Sequence, residues 1–373
     1  MISRSEVDKL LTVRTGGLSV VSLYLWVPLD PAELRGLPAR ADELLALAGS
    51  DSTSGVVRVP AAERRTVLGL VESRARDWLG HTVALFACAE EGLAEAFPLP
   101  CRLQERAVLA ARPHVRPLLL AIQRFPAYRV AVIDRRHAWL FAVAGERIDA
   151  VALPPAEGLR SHGYSGWDGL EAYHVNQRII ELARHHYHDV AVILDRAERA
   201  VGPEPLVIGG HQDTIAQFRA VLPTTLRARV AGSFVADLHT LTPAKVRDHA
   251  GRVIEHWVSQ RDQDLVAQVT QQPPNGLTVS GLADCLTAAS QHAIQLLLVP
   301  AGGLVPGYAC RQCGALSRVP GGCPHGAAAS LAVPDLIEEM AVGTLGDGGQ
   351  AETVPDPPAG IAARLRFPPT QPR

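Results

Sequence analysis

Residues 128–201 constrain the fold more than any other stretch. Three short apolar segments, YRVAVID (128–134), HAWLFAV (137–143) and RIDAVAL (147–153), are separated by Arg135-Arg136 and by Ala144-Gly145-Glu146. Connections that short make tight turns between neighbouring strands. Beyond a loop at 154–169, Ala172, Val175, Ile179, Leu182, Val190, Ile193, Ala197 and Val201 recur at three- and four-residue steps. The segment DVAVIL (189–194) would suit a strand if read alone. It keeps the helical phase of its neighbours, so one helix of about 30 residues is expected instead.

The flanking sequence is organised in the same way. LSVVSLYLWV (18–27) reads as a buried strand, and ARADELLALA and AAERRTVLGLVESRARDWL read as helices. TVALFACAEEGLAEAFPL (82–99) reads as two strands about a turn at Glu90-Glu91-Gly92, and a proline-punctuated stretch leads to a boundary near Pro126. After the long helix come a short strand, PEPLVIGG (203–210), a helix, DTIAQFRAVL, and a second long helix over 242–269. The last part reads helix (279–289), strand (294–299), a cysteine-bearing insertion (308–326), helix (PDLIEEMAVG) and two strands (350–354 and 361–367). A chain of 373 residues has room for two or three domains. The expected division is an α/β domain at 1–125, a middle domain at 126–240 and an α/β domain at 241–373.

Hydrophobic residues make up 47% of the chain, enough for several cores. The formal net charge of -2 excludes nucleic-acid binding by bulk charge, so any RNA contact must come from local patches. The opening MISRSEVDKLL has no apolar core of a secretion signal, and no run approaches the ~20 apolar residues of a membrane span. A cytoplasmic protein is therefore expected. Of the six cysteines, Cys310, Cys313 and Cys323 crowd into the insertion, where Cys310-Arg-Gln-Cys313 and Cys323-Pro-His325 stand nine residues apart. A C-x-x-C pair can place two thiolates on one tetrahedral ion, with Cys323 as third ligand and His325 as fourth, and structural zinc is the expected cofactor. Gly209-Gly210 fits a tight strand-to-helix turn better than a phosphate cradle, and His185, His186 and His188 lack the i, i+4 spacing of a helical zinc pair.

The loop HGYSGWDG, residues His162, Gly163, Tyr164, Ser165, Gly166, Trp167, Asp168 and Gly169, is glycine-rich, carries aromatic residues and precedes the longest helix. Loops so placed reach out to partners. From this order the chain resembles the bacterial relatives of the archaeo-eukaryotic class-one release factors and Pelota, more closely over its C-terminal two-thirds than over its first part. SGWDG is similar to the glycine-tryptophan loop of Balon-like factors, LVIGG (206–210) to the family's strand-then-glycine turn, and AGIAARLRF to its last strand. The resemblance implies a ribonuclease-H-like middle domain, which three strands followed by a helix would suit. It further implies a ribosomal-protein-like α/β third domain with a zinc insertion.

Gly348-Gly349-Gln350 spells the tripeptide with which release factors free a nascent chain. In the family that tripeptide lies in the middle-domain loop, which here reads GYSGWDG. The copy at 348–350 is therefore expected to be a coincidence whose glycines make a turn. The expected function is a ribosome-binding factor lacking the catalytic tripeptide in its middle-domain loop. It would occupy the A site in rescue or hibernation, with rRNA, and tRNA as a second candidate, as partners and no membrane or DNA. The alternative is a divergent peptidyl-tRNA hydrolase or nuclease using His162 or Asp168.

Overall fold

In the computed structural model the described residues are 4–17, 19–48, 58–151, 170–201, 204–236, 240–271, 276–323, 326 and 329–369. They divide into two compact units, Met1–Arg124 with Arg261–Arg373, and Phe125–Gln260.

The first unit opens with helix α1 (Arg4–Thr12), strand β1 (Val20–Trp26), helices α2 (Leu37–Ala48) and α3 (Ala61–Arg74), strands β2 (Thr82–Cys88), β3 (Leu93–Leu99) and β4 (Arg106–Ala110), and helix α4 (Arg116–Arg124). The strands form an antiparallel sheet in the order β3-β2-β1-β4. Both faces of β1 are covered, which is why its sequence is a continuous apolar run rather than an alternating one. Val21, Leu23 and Leu25 share a core with Leu37, Ala41, Leu45, Val67 and Val71 of α2 and α3. Tyr24 shares a second core with Val7 and Leu10 of α1 and with Leu118 and Leu119 of α4. Two elements escape the sequence pattern. Strand β4 is only five residues long. Helix α4 carries Pro117 in its first turn, where the missing N–H breaks no helical hydrogen bond, so the proline is no helix breaker there.

The second unit follows with β5 (Tyr128–Ile133), β6 (Ala138–Ala144), β7 (Arg147–Val151), α5 (Leu170–Val201), β8 (Leu206–Gly210), α6 (Gln212–Val221), α7 (Thr224–Arg227), β9 (Val230–Val235) and α8 (Pro243–Thr270), whose residues from Arg261 on belong to the first unit. The sheet order is β7-β6-β5-β8-β9, antiparallel through β7, β6 and β5 and parallel through β5, β8 and β9. The expected single helix is present, and DVAVIL lies inside it. Its buried stripe is Ala183, Tyr187, Val190, Ala191 and Leu194, packed with Ile133, Leu140, Ile208 and Phe218. The stripe thus runs beside Leu182 and Ile193, which are only half-buried. On the opposite face Val246, Ala250, Ile254 and Val258 of α8 meet Val130, Val132, Phe141 and Phe234. Of the three histidines on α5, His185 and His188 are exposed, but His186 is buried and its Nε2 has no hydrogen-bond partner among the described residues, so the three do not form one solvated face.

Gly209 and Gly210 end β8. A Cβ on Gly209 would lie 2.4 Å from the Phe234 ring, and one on Gly210 2.4 Å from the Ile133 carbonyl oxygen. Close packing between neighbouring strands therefore accounts for the pair. Gly209→Ala is expected to cost about 1–3 kcal/mol by overpacking, read as a lower denaturant midpoint for this unit. An unchanged midpoint would mean that Phe234 moves aside freely.

The first unit resumes with β10 (Thr278–Ser280), α9 (Leu282–Ser290), β11 (Ile294–Pro300), β12 (Gly307–Cys310), β13 (Leu316–Ser317), β14 (Ser330–Val333), α10 (Leu336–Gly346), β15 (Gln350–Val354) and β16 (Ala362–Leu365). The main sheet has the order β10-β16-β11-β15, and the insertion makes its own small sheet, β13-β12-β14. Residues 278–280, expected to begin a helix, pair instead with β16, and the helix starts after Gly281. The fold is thus mixed α/β, built from several sheets and helices. Among the described residues no helix is long and apolar enough to cross a membrane.

Candidate functional site

The cysteine insertion is held by two turns. The Gly314 N–H donates to the Cys310 carbonyl at 2.9 Å, and the Gly326 N–H to the Cys323 carbonyl at 3.1 Å. The Cys310 N–H in turn donates to the Ala315 carbonyl at 2.9 Å, joining the first turn to the small sheet. The result brings together the sulfurs of Cys310, Cys313 and Cys323, all within 4.8 Å of one another, at the end of β12. The Cys310 thiol is drawn down to about 6. The backbone N–H of Cys313 contributes most, and the N–H of Gln312 and the Cys323 and Cys313 thiols add to it, against the opposing effect of burial. A sulfur held as thiolate by amide dipoles is a metal ligand in waiting. The contrast is with Cys101 and Cys285, whose thiols burial pushes up to about 11 and about 12. Those two are packing residues, inert at neutral pH. His325 lies outside the described residues, as do all eight loop residues from His162 to Gly169.

A second cluster, invisible in the sequence, is buried in the first unit. His114, Arg116, Asp335 and Glu338 are each less than 5% exposed. Arg116 Nη2 donates to Asp335 Oδ2 at 2.6 Å, and His114 Nε2 lies 3.2 Å from the same oxygen and 3.6 Å from Glu338 Oε2. Arg116 also donates to the carbonyls of Pro300, Gly302 and Gly303. Three of these groups, His114, Asp335 and Glu338, stand close enough to hold a cation. Their oxygens are already engaged, however. Glu338 accepts from the Val115 and Arg116 N–H groups at 2.8 and 2.9 Å, and Asp335 Oδ1 accepts from the Val305 and Ile337 N–H groups at 3.2 and 3.1 Å. The guanidinium supplies the positive charge. The cluster therefore works as a latch between the start of α4 and the start of α10. For Asp335, burial raises the carboxyl, but the His114 hydrogen bond, the Arg116 and His114 charges and the Val305 amide outweigh it and hold the group below its ordinary value.

The tripeptide Gly348-Gly349-Gln350 lies at the end of α10. The Gly349 N–H donates to the Thr344 carbonyl at 2.8 Å and the Gly348 N–H to the Leu345 carbonyl at 3.0 Å. Gly348 has φ +73°, so the pair closes the helix as a Schellman cap. A Cβ on Gly349 would meet Thr344 Cγ2 at 2.7 Å. Gln350 opens β15 with an exposed side chain. Both glycines are explained by the helix end, and the spelling needs no catalytic reason.

Compared with known proteins, residues 113–261 match bacterial archaeo-eukaryotic release factor family 10. This matched segment is less than half of the chain, and over it the resemblance to the bacterial archaeo-eukaryotic release factors is borne out. No curated protein matches the chain. Solved structures with similarity include the archaeal translation termination factor aRF1 (14% identity, 98% of this chain and 99% of that one, TM-score 0.23). Archaeoglobus fulgidus Pelota is 12% identical over 79% of this chain and 81% of its own, with a TM-score of 0.35. S. cerevisiae Dom34, a translation termination-like factor, is 11% identical over 79% and 81%, with a TM-score of 0.41. At these TM-scores the superpositions carry no argument of their own.

Proposed function

We propose, from the match of residues 113–261 to a release-factor family, that this chain is a ribosome-associated, release-factor-like protein. In this reading residues 126–240 enter the A site, in rescue or hibernation, and peptide release through a GGQ loop is not its chemistry. The observation that carries the proposal is that match together with the sheet it spans. An order of β7-β6-β5-β8-β9, with three antiparallel strands leading and two parallel strands added after helices, supports a ribonuclease-H-like reading of this unit. The loop at 162–169, which leaves the same unit between β7 and α5, has no glutamine. The only GGQ in the chain, at 348–350, is used as a helix cap. A structural zinc ion on Cys310, Cys313 and Cys323, with His325 as fourth ligand, belongs to the same reading. Three thiols grouped on knuckle turns, one of them poised as thiolate, are a soft donor set suited to that ion.

The test is sedimentation of the tagged protein with ribosomes from growing and from starved cells. Co-sedimentation in at least one state is expected, and a protein that stays in the supernatant in both would overturn the proposal. Gln350→Ala is expected to change neither ribosome binding nor any hydrolysis of peptidyl-tRNA. A selective loss of hydrolysis with the fold intact would make the terminal tripeptide catalytic after all.

A further inference from the structure

We infer that the hairpin turn between β5 and β6, Asp134 to Trp139, is an RNA contact of the second unit: Arg135 and Arg136 take backbone phosphates, and the stacked His137–Trp139 pair offers its exposed surface to a base. The inference deepens the ribosome reading proposed above, and rests on it for the identity of the RNA.

The turn is built to present these groups. The Asp134 N–H donates to the His137 carbonyl at 2.9 Å, closing the hairpin. Asp134 Oδ1 accepts from the Arg136 and His137 N–H groups, each at 2.5 Å, and Oδ2 lies 3.4 Å from His137 Nδ1. The one carboxylate at the turn is thus engaged by the backbone and the imidazole. Arg135 and Arg136 are exposed, and among the described residues neither has an ion-pair partner. The His137 and Trp139 rings stack with centroids 5.7 Å apart and planes inclined by 30°. Trp139 shares a strand face with Phe141 and Val143, which are buried against α8, yet it is itself 40% exposed. A large aromatic surface left in water beside two unpaired guanidinium groups matches what single-stranded nucleic acid offers, a π-face and a phosphate.

The other end of the same sheet gives the contrast. There Arg129 pairs with Glu204 at 2.8 Å and Arg147 with Asp149 at 2.7 Å. Cations are neutralised at one end and left free at the other. Strand register fixes which end that is. Ile133 aligns with Ala138 and Gly210, and Gly210 with Val235, so the turn lies at the C-terminal ends of β5, β8 and β9. The strand β7 runs the same way, and the chain leaves it at Val151 toward 162–169. An acidic peptide would satisfy the arginines but leaves the aromatic pair without a role. With a formal net charge of -2, the chain has no general affinity for polyanions that could mimic a local site.

The experiment uses the full-length protein and two probes, a fluorescent oligouridylate read by anisotropy across a salt series and purified ribosomes read by sedimentation. Arg135→Glu with Arg136→Glu, two exposed turn positions, is expected to weaken oligouridylate binding at least tenfold. The salt dependence should become shallower by about 1 in log–log slope, as for the loss of phosphate contacts. Trp139→Leu should weaken binding about tenfold while leaving that slope unchanged. Equal affinity of the charge-reversed and parent proteins for both probes overturns the inference and leaves the ribosome reading standing. Loss of oligouridylate binding in a protein that never sediments with ribosomes supports the RNA contact and fails the ribosome reading instead.

Discussion

Replacing Asp335 by Ala is expected to destabilise the first unit by about 3–5 kcal/mol, the cost of stranding a buried charge. Arg116 would keep its hydrogen bonds to the Pro300, Gly302 and Gly303 carbonyls but lose its counter-charge. The same change removes the N-cap of α10, since Asp335 accepts from the Ile337 N–H, and a cap contributes about 1 kcal/mol. Asp335→Asn separates the two effects, because the amide oxygen still caps the helix while the charge is gone. The expected order of stability is parent, then Asn, then Ala, read by hydrogen exchange in β1, α4 and α10. An Ala variant within 1 kcal/mol of the parent would show that water replaces the carboxylate and that the latch is ornamental. The pH dependence follows from the same carboxyl. Its value in the folded protein is depressed, so its contribution is complete above the ordinary carboxylate value of about 3.9 and is lost as the pH falls through the lower folded value. Above pH 5 the Asp335 contribution should therefore not vary.

The latch also shows where sequence reading stops. The strands and helices with a strong apolar period were legible: β5 to β7, the unbroken α5 and the buried run of β1 all stand where the pattern puts them. The elements that escaped are those whose signal is weak or contradictory, namely the five-residue β4, the six-residue β9 and α4 with its early proline. The cysteine cluster was legible because its three members lie within 14 residues and their chemistry is rare. His114 and Asp335 are 221 residues apart, and neither stands in a motif. Nothing in a single sequence marks a His, an Arg and two carboxylates as neighbours when each would be ordinary on a surface. The two terminal glycines were read correctly as a turn for a local reason, since a helix end followed at once by a strand demands a left-handed residue. The hairpin turn at 134–139 was legible as a turn but not as a surface, because exposure and pairing of its arginines depend on where Asp134 points.

Cys310→Ser is expected to reduce bound zinc from about one ion per chain to almost none. A tetrahedral ion with Zn–S bonds of about 2.3 Å needs sulfurs about 3.8 Å apart, and the three thiols already stand within 4.8 Å. Little rearrangement separates the described geometry from a ligand set. Cys310 is the buried member, and its sulfur receives the amide hydrogen bonds that favour thiolate, so its loss removes the most prepared ligand. Cys323→Ser should act similarly, and His325→Ala less, since water can complete the tetrahedron. The consequences should be graded in space. Ala309 and Leu316 of the small sheet pack against the core formed by Leu297, Leu336, Ile337 and Met340, and Val333 belongs to that core. The insertion thus leans on a core that does not need the metal. Loss of zinc should therefore raise hydrogen exchange first in residues 307–333 and leave β11, β16 and α10 protected. Binding energy of a structural zinc site acts on the fold that assembles it, and here that fold is the insertion. Elemental analysis decides the matter: a purified parent protein without zinc, whose three thiols all titrate freely in the native state, would make the insertion an ordinary loop held by its sheet alone.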